Sequence, residues 1–347
     1  MSRSALIGLQ ILKILRDYAD ARHPMRQVDI QRRLENEYEN RVCRKALKQH
    51  LDDLTIPIDS FVENNHGYYL KPYFTDAELG VMIDDILFAK QIPEEMAKSM
   101  IKKLINLSPM NLKGLKHYVD YVPDVNHSQN INVNHFIETI GKAMERNRKI
   151  EIEPCAFNIN GALVPVFERT FKADPYSMVC DKNRYYLICG VLRRDVRRVE
   201  NRRIDRFWKV TVTVTDEMRE PITDIEGYEY GLDLPKYMKE HIYMFSGEVR
   251  QIHMSVRRDR IGEFFDWYGV DGYSIADGDD KSDFITVRFR ANVDAVKYWA
   301  IQYDQYVTVL SPYELREEIL EYAVRMAEKY RTLGRMDLSD CKKLKKM

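Results

Sequence analysis

Residues 174–209 narrow the folding options of this chain more than any other stretch. Two apolar runs, residues 176–180 and 185–191, flank Asp181-Lys182-Asn183. Asp and Asn bond their own local backbone and favour turns, so the spacing predicts a β-hairpin. A strongly basic segment follows. It carries seven arginines from Arg193 to Arg206 against Asp195, Glu200 and Asp205, a local charge of +4. Guanidinium groups this dense repel one another, and each matches a carboxylate or phosphate in a two-pronged fork. The pattern points either to an anion held among the arginines or to carboxylates pairing with them across a subunit interface.

The remaining composition excludes more than it specifies. A length of 347 residues predicts two or three domains at about 150 residues each. The chain is 31% charged and 45% apolar, an ordinary globular balance. Its formal net charge is zero, so any nucleic-acid contact must come from a local basic patch. Cys43, Cys155, Cys180, Cys189 and Cys341 form no Cys-x-x-Cys, which fits a reducing compartment. Charges interrupt the first twenty residues, and no apolar run approaches the ~20 residues of a membrane span. A cytoplasmic protein without a membrane partner is expected.

No phosphate-binding loop, dinucleotide fingerprint, His-Glu-x-x-His or Gly-x-Ser-x-Gly is present. Asp277-Gly278-Asp279-Asp280 lacks the ligand order of a calcium loop. Asp52-Asp53 and Asp84-Asp85 fall on predicted helices, where adjacent side chains point apart. His117, His127 and His135 are spaced too irregularly for zinc. No enzyme activity, cofactor or metal is expected.

Helical spacing runs over residues 5–19, 25–35 and 40–54, with Asn40 as an expected N-cap. Val28, Ile30 and Leu34 are available for the core. In the third helix Val42, Ala46, Leu47, Leu51 and Leu54 read as inward. Arg41, Arg44, Lys45 and Lys48 read as outward, with no acid before Asp52. Two strand-like pieces then surround Asn64-Asn65-His66-Gly67. Three short helices and a hairpin are the layout of a winged helix-turn-helix, whose third helix enters the major groove. The cations would neutralise phosphates, and Gln49 with the arginines would read base edges. Asn65 and His66 would touch DNA at the wing tip, although turn chemistry alone explains them equally well.

Residues 75–107 read as two helices, the first opened by a Thr75-to-Glu78 capping box. Residues 108–133 read as a linker. After a helix at 136–147 the period changes to two, and about five short strands suggest a small, strongly bent sheet. Residues 216–247 read as a looser connection. Beyond it, strand, helix, two strands, helix and strand suggest a ferredoxin-like sandwich, and Pro312 opens a last helix.

Three motifs in order resemble the WYL domain: Pro175-Tyr176-Ser177-Met178, Tyr185-Tyr186-Leu187 and Arg203-Ile204-Asp205-Arg206-Phe207. Tyr185 stands where the family name has Trp, and Glu200 stands where an additional Arg is frequent. Residues 299–316 resemble the extension, called WCX, that commonly follows WYL domains. The first residues resemble the winged-helix modules found ahead of them.

The resemblance implies an α+β multidomain chain. A winged helix-turn-helix (1–71) and a helical bridge (72–133) precede an Sm/SH3-like β-barrel, the WYL domain (134–216). A ferredoxin-like α/β extension that dimerises follows (236–332). It also implies a ligand-responsive transcriptional regulator acting as a homodimer on double-stranded operator DNA. Its anionic effector, a nucleotide or short single-stranded nucleic acid, would be held by Arg169, Lys172, Ser177, Tyr185 and Arg203. Arg206 is a further candidate, or a structural partner of Asp205. Strand alternation would set Arg203 and Arg206 on opposite faces. The other reading is an accessory protein that grips RNA or single-stranded DNA without operator-specific regulation.

Overall fold

The computed structural model describes residues 3–55, 62–64, 66–71, 74–105, 107, 127–212, 217–271, 273–276 and 282–333. Its contacts divide into two units, Met1–Val133 and Asn134–Met347. No described helix is long and apolar enough to cross a membrane.

The first unit begins with α1 (Arg3–Tyr18), α2 (Gln27–Tyr38) and α3 (Arg44–Thr55). Three- and four-residue spacing brings Ile7, Ile11, Ile14 and Leu15 of α1 against Ile30 and Leu34 of α2 and Leu47 and Leu51 of α3. Each such side chain contributes roughly 1.5–3 kcal/mol on full burial. Val28 and Ala46, read as inward, are exposed. Asn40 is not the cap of α3, which starts at Arg44. Its amide nitrogen instead donates to Gln10 Oε1 at 2.6 Å.

β1 (Val62–Asn64) and β2 (Tyr68–Leu70) pair antiparallel. Met25 and Tyr68 exchange two backbone hydrogen bonds of 2.8 Å, which ties the chain before α2 to β2. A Cβ at Gly67 would sit 3.0 Å from Pro24, so a close backbone approach requires glycine there. α4 (Asp76–Leu87) opens with the expected capping box, Thr75 and Glu78 bonding reciprocally. α5 (Glu94–Ile105) packs Ile101 against Ile83 and Leu87 of α4.

The second unit starts from α6 (Val133–Glu145) and a curled antiparallel sheet. Its strands are β3 (Ile150–Phe157), β4 (Leu163–Pro165), β5 (Phe171–Asp181), β6 (Arg184–Arg193), β7 (Val196–Arg203) and β8 (Phe207–Val212). The order is β4-β3-β5-β6-β7, with β8 on β3. β3 pairs β8 along one edge. On the other it pairs β5 through Ile150–Ile152 and β4 through Cys155–Phe157. A strand that serves two partners in series must bend, and the sheet becomes a half-barrel.

The basic segment is itself a strand, β7, one more than the spacing predicted. The β5–β6 turn has Lys182 and Asn183 at φ 45° and 58°, the left-handed pair that suits two-residue hairpins. A register shift lies between Pro175 and Ser177, leaving Tyr176 as the extra residue of a bulge. The Tyr176 hydroxyl donates to the Glu220 carbonyl at 3.1 Å, and its ring lies over Gly190.

After α7 (Leu234–Glu240) the chain forms a second antiparallel sheet with helices. Its elements are β9 (Val249–Arg257), α8 (Ile261–Tyr268), β10 (Tyr273–Ala276), β11 (Phe284–Asn292), α9 (Val293–Gln302), β12 (Val307–Ser311) and α10 (Tyr313–Leu333). The expected strand-helix-strand-strand-helix-strand order is present, and the strands lie as β10-β11-β9-β12. Phe264, Tyr268, Phe289 and Trp299 fill the core between sheet and helices. Asn292 caps α9 by accepting from Ala295 N at 3.0 Å. In α10 only Leu315 is buried, and Leu320, Tyr322, Val324, Met326 and Tyr330 are exposed.

A Cβ on Gly190 would meet the Tyr176 hydroxyl at 2.5 Å. Overpacking of this kind costs about 1–3 kcal/mol. Gly190→Ala is therefore expected to lower the urea midpoint by that much stability with an unchanged slope.

Candidate functional site

In the first unit, Leu47 and Leu51 anchor α3 in the core and turn Arg44, Lys45, Lys48 and Gln49 outward, where all four are exposed. The first turn of α3 holds no acid. Cations at a helix N-terminus face the positive end of the peptide dipoles, which costs roughly 0.3–1 kcal/mol each. An anion at the same place would reverse that sign. Among the described residues no carboxylate pairs with Arg44, Lys45 or Lys48. Arg41 differs, since its Nε lies 2.7 Å from Glu35. Gln49 donates to Asp53 at 2.8 Å. His66 is exposed at φ 63°, the conformation that turn chemistry alone would give. Asn65 lies outside the described residues.

In the second unit, an open cleft of about 840 Å³ runs along β7 and the turn after it. Arg169, Arg193, Arg202, Arg203 and Arg206 line it, against Glu168 as the one lining acid among the described residues. Carboxylates just behind the wall hold some of these cations. Glu200 takes Arg193 at 3.1 Å and also Arg202. Asp205 takes Arg203 at 2.7 Å and Arg184 at 3.2 Å. The Arg206 guanidinium instead lies 4.2 Å from the Phe157 ring centroid. Neither Arg206 nor Arg169 has a carboxylate partner among the described residues. Phe171 lies beneath Arg193 and Arg202 at 5.5 and 5.2 Å, and cations are attracted to such ring faces.

Charge and burial set the protonation states. Burial alone would raise the Glu200 carboxyl. Its bonds to Arg193 and its pairing with Arg202 outweigh that and bring it below the usual carboxylate range. The hydrogen bond from Arg203 to Asp205 strengthens the guanidinium's hold on its proton. Burial pushes the Cys189 thiol up to about 12, which removes it as a nucleophile. No group of three or more His, Cys, Asp or Glu among the described residues is arranged to hold a metal ion.

Several expectations need correction. Strand alternation puts Tyr186 in the cleft wall, while Tyr185, Ser177 and Lys172 are not among its lining residues. Lys172 pairs with Glu217 at 2.6 Å. Arg203, not Arg206, is the arginine of the β7 end that pairs with Asp205. The two arginines do not face opposite ways. A 3-10 turn at Ile204–Arg206 interrupts the alternation, and both reach the same cleft.

Tyr243, Met244 and Phe245 also line the cleft, and no motif in the sequence points to them. These residues lie in the stretch read as a connection. Tyr243 and Met244 both adopt left-handed backbone, at φ 62° and 52°. For residues with a Cβ this costs roughly 1–2 kcal/mol each, and the nearest turn signal, Ser246-Gly247, falls after the pair and not on it.

Because Glu200 is held lower when folded than when unfolded, its pairs contribute stability above the unfolded value, about pH 4.3. That contribution is lost as pH falls through the folded value. Urea unfolding should find the wild type more stable than Glu200→Gln at pH 7, with the gap narrowing below about pH 4.

No family model and none of the curated proteins matches the chain. Among solved structures it is similar to proteasome accessory factor B/C (PafBC) of Arthrobacter aurescens. That match has 15% identity and a TM-score of 0.29, and covers 90% of this chain and 47% of that one. It is also similar to a CRISPR Cas-related protein at 14% identity and a TM-score of 0.37, over 76% of this chain and 75% of that one. The chain thus spans about half the length of the first and three quarters of the second.

Proposed function

We propose that this chain is a transcriptional regulator of the WYL type that answers to an anionic effector. In this reading α1–α3 with β1 and β2 form a winged helix-turn-helix that binds double-stranded operator DNA. The half-barrel is an Sm/SH3-like effector domain, and the second sheet is a ferredoxin-like extension. The observation that carries the reading is charge without local compensation. Arg44, Lys45 and Lys48 on α3, and Arg169 and Arg206 in the cleft, have no carboxylate partner among the described residues. The chain as a whole has zero formal charge. Two separate cation sets in a neutral molecule are best explained by two polyanionic partners.

On α3 the cations would track phosphates and the exposed Gln49 would reach base edges. In the cleft, Arg169 and Arg206 would grip phosphate while Tyr186, Tyr243 and Phe245 offer faces for a base. A nucleotide or short single-stranded nucleic acid supplies both chemistries. Regulation then follows from linkage: effector and operator change each other's affinity by one common factor.

The regulator would act as a homodimer in the cytoplasm. Residues 321–331 of α10 are exposed, and an isolated helix this short is marginal in water. A second copy would cover its apolar residues.

The test is a salt titration on duplex and single strands. Arg44→Ala and Lys48→Ala should each weaken duplex binding across sequences and reduce the slope of log K against log salt by about one. Binding confined to single strands, and indifferent to both substitutions, would turn the reading to an accessory protein.

A further inference from the structure

The left-handed pair Tyr243-Met244 is held from several directions at once. Met244 is buried with Val179 and Ile188 of the half-barrel and Tyr237 of α7. The Tyr243 ring packs 4.7 Å from Trp267 of α8, and its hydroxyl donates to Gln302 at 3.0 Å. Lys182, from the β5–β6 turn, lies over both rings, 2.9 Å from the Trp267 centroid and 4.8 Å from that of Tyr243. An unfavourable backbone persists only where its surroundings over-determine it, and such places are bistable when one support is removed.

One of those supports is built into the arginine strand. Asn201 lies on β7 between Glu200 and Arg202. Its backbone N–H donates to Ser246 Oγ at 2.7 Å, and its side-chain amide donates to the Phe245 carbonyl at 3.4 Å. Its side-chain Oδ1 accepts from the Tyr237 hydroxyl at 2.9 Å. Asn201 also lines the cleft, as do Tyr243 and Phe245. A ligand gripped by Arg169 and Arg206 and reaching along the cleft to Arg193, Arg202 and Arg203 therefore meets the strained segment in two ways: directly at the rings, and through the β7 backbone at Asn201.

We infer that residues 242–246 form a strap that reports occupancy of the arginine cleft to the second sheet, with Asn201 as the positioning residue that couples them. The inference rests on the proposed anion-binding role of the cleft. An anion that draws Arg193 and Arg202 away from Glu200 shifts β7 at Asn201. The bonds to Ser246 and Phe245 carry the shift into the strap, and Tyr243 moves on Trp267. Trp267 is thus a built-in reporter, and the direct contact between Tyr243 and α8 is the route into the second sheet.

The experiment uses the full chain and a short 5′-phosphorylated oligothymidylate, with binding followed by calorimetry. At saturation, amide exchange over 242–246 should change by about twofold or more, and the tryptophan emission should shift. Trp267→Phe should abolish the shift while leaving binding in place. Ser246→Ala removes one bond of the Asn201 link without touching a cleft-lining side chain. It should bind the probe within about threefold of wild type, a difference under 1 kcal/mol, yet show a weaker exchange response. Saturation without any exchange change at 242–246, or an undiminished response in Ser246→Ala, overturns the strap and leaves the cleft reading standing. A probe that fails to bind the wild type, or that binds Arg206→Ala as tightly as the wild type, overturns the cleft reading and the strap with it.

Discussion

The second unit depends on how three carboxylates are distributed among its arginines. Asp174 is buried on β5, receives Arg197 and accepts from Glu220 N at 2.9 Å. Glu200 and Asp205 hold Arg193, Arg202, Arg203 and Arg184. A buried carboxylate without these partners would be strongly destabilising, and removing one partner of such a pair commonly costs about 3–5 kcal/mol. The pairs therefore fix where β7 runs against β5 and β6. They also fix which arginines are left over. Because the acids sit behind the wall, the electropositive surface of the cleft belongs mainly to Arg169 and Arg206. The arrangement that lets a row of arginines fold at all also keeps two of them available.

Most of the architecture was legible from local chemistry. The Thr75–Glu78 capping box, the turn at Lys182-Asn183, the end of α8 at Gly269 and the start of α10 after Pro312 each depend on residues a few positions apart. Helix spacing located the core residues Ile30, Leu34, Leu47 and Leu51. It misjudged Val28 and Ala46, because helical periodicity cannot say which side of a short helix meets a neighbour. It also began α3 too early, since Asn40 found a partner on α1 instead of capping.

The cleft was legible only in part, and the errors have a common cause. Arg169, Arg203 and Arg206 carry the charge that an anion needs, and the WYL resemblance points to them. Tyr185 comes from the resemblance alone, since strand alternation gives the parity of the Tyr185-Tyr186 pair but not its sign. Arg203 and Arg206 were assigned opposite faces because the intervening 3-10 turn is invisible to a period of two. Tyr243, Met244 and Phe245 come from about forty residues beyond β7 and carry no motif. The left-handed backbone of Tyr243 and Met244 is imposed by Trp267, Lys182 and the half-barrel core, all remote in sequence. Asn201 likewise gains its meaning only from Tyr237 and Ser246.

The bulge at Tyr176 carries a consequence for how this chain can vary. Cross-strand partners run from Asp174 and Pro175 directly to Ser177, so Tyr176 is an uncounted step in the ladder. Deleting Tyr176 would join Pro175 to Ser177 and restore an unbroken ladder with the same cross-strand partners, so Asp174 and Val179, both buried, would keep their shared face. A deletion anywhere else in the strand would swing one side of it to the other face, because side chains alternate with a period of two. Homologous chains should therefore tolerate a one-residue difference at this step of the strand, while other gaps collect in the connections on either side.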